Sequence, residues 1–164
     1  MSTSSLVPDR YQHAVVAHLM VAGADQALRF YATAFGAREL FRIATPDGRV
    51  VHAETVIEDS LFMVGDADGP FAAPGLHSGT SVALHVHVAD VEACHARAVE
   101  HGATSVQPVQ AMFYGARSAM VRDPFGHVWV LLTYTEDLDP AVIAQRGNAL
   151  LAGVSGQGAA PAGA

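Results

Sequence analysis

A chain of 164 residues that is 51% hydrophobic and 15% charged has the composition of one compact domain, or of two half-domains on a shared core, and not of a disordered tail or a fibre. Nine Lys and Arg against 16 Asp and Glu give a formal charge of −7, which argues against nucleic acid and anionic membrane surfaces as partners. One cysteine closes no internal disulfide, residues 1–6 lack the charge and apolar core of a secretion signal, and no run approaches the ~18 apolar residues that span a bilayer, so the expected location is the cytoplasm.

Residues 1–11 carry no periodic pattern and are expected to be flexible. An apolar run over 15–21, with His18 and Met20 interleaved, reads as a strand. Ala24, Ala27, Leu28, Tyr31 and Phe35 then recur at helical spacing, and Gly36 falls where a helix needs a left-handed residue to end on. Strands follow over 38–43, 50–57 and 61–64, punctuated by turns at Pro46-Asp47-Gly48 and Asp59-Ser60. Residues 66–79, rich in Gly, Pro, Ala and Asp, read as a linker.

The pattern then begins again. A strand over 82–88 carries His85 and His87, and a helix with Val91, Cys94 and Ala98 on one face makes Cys94 a buried structural thiol. It ends at Gly102-Ala103, as the first helix ends at Gly36-Ala37. Strands over 105–109, 118–122 and 127–134 complete the second half, with a loop at Phe113-Tyr114-Gly115 and a type I turn at Asp123-Pro124-Phe125-Gly126. His18 and His85 lie 67 positions apart and the two Gly-Ala pairs 66 apart, the mark of an internal duplication. Asp139-Pro140 looks like an N-cap and first-turn proline opening a helix to about Leu151. The expected organisation is therefore α+β: a first βαβββ module over 12–65, the linker, a second module over 80–136, a C-terminal helix over 137–152 and a disordered tail over 153–164.

Two stretches carry a family likeness: Val21 with Ala27-Leu28-Arg29-Phe30-Tyr31 and Phe35-Gly36-Ala37, and Val121-Arg122-Asp123-Pro124-Phe125-Gly126-His127. Over about residues 12–136 the chain resembles the vicinal oxygen chelate superfamily, and within it the glyoxalase/bleomycin-resistance branch that includes PhnB-like proteins. The resemblance implies two modules that form a cupped mixed sheet around a small organic molecule, often with half-barrels paired between subunits, hence a homodimer. Members that hold a metal place ligands on the first and last strands of each module. Matched by the two signatures, those positions are Val16, about Met63, Ala83 and Val130, none of which offers an imidazole, carboxylate or thiolate donor.

The expected cup is therefore metal-free. Alternation along the strands places His18 and Met20 on the face of Val16, and His85 and His87 on the face of Ala83. These histidines have three readings: neutral packing groups, ligand-binding groups, or a displaced metal site of His18, Glu54 and either His85 or His87. The expected ligand-binding set is His18, Met20, Met63, His85, His87, Phe113, Tyr114 and Val130. Phe113-Tyr114 could stack on a ligand or close the core, Trp129 falls out of phase and should pack beneath the helices, and Arg117 could meet a ligand carboxylate or stay solvated. There is no G-x-S-x-G, P-loop or G-x-G-x-x-G, so neither an acyl-transfer nucleophile nor a nucleotide cofactor is indicated. Sequestration of a largely apolar or aromatic natural product or antibiotic, with no cofactor, is the first functional expectation. A metal-dependent lyase, isomerase or dioxygenase using the displaced set, and a cofactor-free isomerase or cyclase moving a proton through His18 or His85, are the alternatives.

Overall fold

The structure, a computed structural model, describes Pro8, Arg10, Tyr11 and residues 15–75 and 79–156. Most of the expected flexible N-terminus, and the tail beyond Gly156, lie outside these residues. The first module is β1 (His18–Val21), α1 (Ala24–Phe35), β2 (Arg38–Ala44), β3 (Val50–Ile57) and β4 (Ser60–Asp66). The second is β5 (Ala83–His87), α2 (Val91–Glu100), β6 (Thr104–Met112), β7 (Ala116–Arg122) and β8 (Val128–Tyr134), and α3 (Pro140–Gly156) follows. Each module forms its own four-stranded sheet, in the orders β1-β4-β3-β2 and β5-β8-β7-β6. The first strand runs parallel to the last in each, and the other pairs are antiparallel. The duplicated βαβββ architecture expected from the sequence is present.

Period-two alternation sorts the side chains. Leu19, Val21, Phe62, Val64 and Ala53 of the first sheet, and Val86, Trp129, Leu131, Ala119 and Val121 of the second, are buried in one continuous core with the helices. At its centre Trp129 lies 4.7 Å from Phe35 and 5.2 Å from Tyr31 between ring centroids, with Phe62 at 6.0 Å, so the modules are joined by aromatic packing. The Arg97 Nε also donates to the Ala34 carbonyl at 3.0 Å, tying α2 to α1. Asp66, at the end of β4, accepts from the Gly23 and Ala24 amides at 2.9 Å each and so caps the start of α1 from a distant strand.

Several boundaries differ from expectation. β1 begins at His18, not at residue 15: its register sets His18 beside Met63, which puts Val15, 87% exposed, level with the hairpin where β4 begins. β6 continues past Pro108 to Met112, because β6 is an edge strand and the register shift between Gln107 and Gln110 absorbs a residue without an amide N–H. α3 runs beyond Leu151 to Gly156, and the Ala141 amide donates to Asp139 Oδ1 at 2.8 Å, the cap expected there.

Candidate binding site

The faces opposite the helices are the concave ones. In the first module, register aligns His18, Met63, Glu54 and Phe41 in one row across β1, β4, β3 and β2. The matching row of the second is His85, Val130, Met120 and Gln107 across β5, β8, β7 and β6. The duplication thus pairs His18 with His85, Met63 with Val130, and the carboxylate Glu54 with the thioether Met120.

Glu54 is 1% exposed. Arg10 Nε donates to its Oε2 at 2.6 Å and Arg10 Nη2 reaches Oε1 at 3.4 Å, while the Tyr11 hydroxyl donates to Oε1. His52 Nε2 stands 3.8 Å from Oε1. The Arg10 guanidinium lies 4.8 Å from the Tyr11 ring centroid and 5.9 Å from that of Phe41. Burial pushes the Glu54 carboxyl upward, but the hydrogen bonds from Arg10 and Tyr11 outweigh it and hold the group below the ordinary glutamate value. Edge-on to His52, at 5.5 Å between centroids, is His18. Burial, and then repulsion from His52, lower the His18 pKa, so its imidazole is neutral at pH 7. Gly65 lets that ring lie flat: a Cβ there would come within 3.1 Å of His18 Nε2 and 2.9 Å of the Val51 carbonyl oxygen.

The second concave face is more apolar. Ala116, Val130 and Leu132 are buried together, with Tyr114 and Met120 packed against them. His85 and His87 stand exposed at its edge, and His87 meets Tyr134 edge-on at 5.5 Å. Phe113 lies 5.2 Å from Tyr114 and abuts Gly147 of α3, where a Cβ would come within 3.0 Å of the ring; Phe113 therefore seats the C-terminal helix. Arg117 pairs with Glu92.

Among the described residues, His18 and the His85–His87 pair line different clefts. No Cα of β1 comes within 8 Å of β5, so the strands expected to bring His18 and His85 together are edges of separate sheets. His18 and Met20 line an open cleft of about 530 Å³ beside the linker residues Ala72–Pro74 and His127. His85 and His87 line another, of about 460 Å³, against the β3–β4 hairpin. Among the described residues no three His, Cys, Asp or Glu side chains gather as metal ligands. Glu54, a donor in the displaced set, is engaged by Arg10 and Tyr11. The positions matched to the metal-bearing pattern carry hydrocarbon or thioether: Val16 and Ala83 hold aliphatic groups, Met63 faces Glu54, and Val130 is buried. That donor chemistry does not fit a hard divalent cation.

The family model for the Glyoxalase/Bleomycin resistance protein/Dioxygenase superfamily matches residues 10–131. The chain belongs to this superfamily. Among curated relatives, Rv0887c of Mycobacterium tuberculosis is 40% identical over 119 residues, covering 70% of each chain. The structure resembles that of TioX from Micromonospora sp. ML1, with TM-score 0.59 and 28% identity over 77% of this chain and 100% of that one. The PhnB protein from Bacillus cereus shares the fold alone, with TM-score 0.58 and 17% identity over 74% of this chain and 99% of its own. No helix of the described residues is long and apolar enough to cross a membrane.

Sequence reasoning missed Arg10, Tyr11, His52 and Phe41. One signal was present. Glu54 is a carboxylate in a largely buried strand, and a buried carboxylate requires a compensating group somewhere in the chain.

Proposed function

We propose that the chain binds a small, largely apolar or aromatic organic molecule in a metal-free cup, and acts by stoichiometric sequestration in the cytoplasm. The observation that carries this reading is the pair of in-register rows, whose floors are Met63 and Val130. The hydrocarbon and thioether groups Met63, Val130 and Met120 bind by excluding water, with His18 and Glu54 as polar groups in the same rows. The superfamily includes bleomycin-resistance proteins, and an antibiotic held in such a cup would be kept from its target without being chemically altered.

The cup itself is shared between two copies of the chain. Phe41 is 40% exposed and Ile43 56% exposed on the first module, Tyr134 is 56% exposed on the second, and no strand of one sheet is hydrogen-bonded to a strand of the other. A second copy that sets its second module against the first module of its partner covers these surfaces and builds two equivalent cups. Titration of acridine, a neutral planar aromatic, into chelator-treated protein tests the binding reading, with sedimentation velocity reporting the assembly. Saturable binding to a dimer supports it. A monomer, or binding that appears only when a divalent metal is restored, opposes it.

A further inference from the structure

We propose that Glu54, with Phe41 and His52 beside it, is the cation-recognition corner of the cup: it takes a guanidinium, amidine or protonated ring nitrogen of the ligand, and Arg10 of the same chain fills it when the cup is empty. This rests on the binding reading above and adds the charge of the ligand to it.

The repeat supplies the first argument. In the second module the position equivalent to Glu54 is Met120, so an apolar side chain satisfies the fold there and the carboxylate is particular to the first module. An uncompensated buried carboxylate is strongly unfavourable, and within the sheet only His52, 3.8 Å from Oε1, stands near Glu54. Its cation comes from outside the sheet, eight positions before β1.

The second argument is asymmetry of burial. The Glu54 side chain is 2% exposed whereas that of Arg10 is 42% exposed. The acceptor is built into the floor, and the donor reaches in from solvent and can be exchanged for another cation without unpacking the sheet. The third is shape. Arg10 is held over the Phe41 ring while it donates to Glu54, so a planar cation that displaced it would find an aromatic face and a carboxylate together. The net charge of −7 favours the approach of such a ligand.

The test compares two planar probes of similar shape on the full chain, 9-aminoacridine, which is cationic at neutral pH, and acridine, which is neutral. The wild type should bind the cation about tenfold more tightly, a difference of ~1.4 kcal/mol. Arg10→Ala, a substitution at a half-exposed residue, should raise affinity for 9-aminoacridine several-fold by removing the internal competitor, and Glu54→Gln should erase the preference between the probes. Glu54→Met, which copies the second module, serves the same purpose should the glutamine variant fail to fold by circular dichroism. If acridine binds but the cation gains no preference, or the preference survives loss of the carboxylate, the assignment of Glu54 is overturned while the apolar cup stands. If neither probe binds wild type or Arg10→Ala, both readings fail.

Discussion

The Tyr31 hydroxyl donates to Asp123 Oδ2 at 2.9 Å across 92 positions of sequence, joining the helix of the first module to the turn of the second. The same oxygen accepts from Trp129 Nε1 at 2.9 Å, and Oδ1 accepts from the Phe125 and His127 amides. Asp123 is 2% exposed, so each of these donors depends on it. Removing the carboxylate strands two side-chain donors and two amides between the modules. Asp123→Ala should therefore destabilise the fold by about 3 kcal/mol or more, and Tyr31→Phe by about 1 kcal/mol. Thermal denaturation of the two variants checks the ranking, and equal losses would show that the Tyr31 bond alone, and not the turn or Trp129, carries the contribution of Asp123.

His18 should titrate below the ordinary histidine value. Burial is the larger cause and the neighbouring His52 the smaller, so His52→Gln should raise the His18 pKa only in part. Because the folded pKa lies below the unfolded one, the unfolded chain binds more protons in the interval between them. Stability is thus complete above about pH 6.5 and declines as pH falls through the interval to the folded value. NMR titration of the imidazole signals measures both effects, and a His18 pKa above the ordinary value would contradict the geometry.

A second loss is expected in more acidic solution. Glu54 is held below its ordinary value, so its contribution is present above about pH 4.5 and disappears as pH falls through the folded pKa. Arg10→Ala removes the first of the three groups that lower it, Arg10, Tyr11 and His52, and the carboxyl should rise. Chemical denaturation at a series of pH values should show a smaller acid decline, ending at higher pH, in that variant. An unchanged profile would mean that Arg10 does not set the charge of Glu54.

Gly65 is fixed by contact and not by backbone conformation. An alanine methyl there meets the Val51 carbonyl oxygen at 2.9 Å and His18 Nε2 at 3.1 Å, and the carbonyl belongs to a neighbouring strand that cannot swing aside. Gly65→Ala should cost about 1–3 kcal/mol and shift the His18 ring resonances. A variant as stable as wild type would mean that His18 does not lie against this strand.

The modules were legible because their signals are local. Gly36 and Gly102 mark the helix ends, Asp123-Pro124-Phe125-Gly126 marks the last hairpin, and the 67-position offset of His18 and His85 relates the halves. Alternation also placed Trp129 correctly, in the core beneath the helices. What local pattern does not encode is how two sheets sit against each other. His18 and His85 occupy equivalent faces, yet their strands are edges of separate sheets, and the two rings line different clefts. The Arg10–Glu54 pair was illegible for a related reason. It joins residues 44 positions apart, and one of them lies in a segment with no periodicity to read.

Isothermal titration of acridine into protein dialysed against EDTA, followed by the Val130→Asp variant, tests metal-free binding most directly. Saturable binding with one site per chain, the same before and after chelation and weakened at least tenfold by a carboxylate on the cup floor, is the expected result. No binding until a divalent metal is added back, together with stoichiometric metal in the untreated protein, would show that the site works through a metal after all.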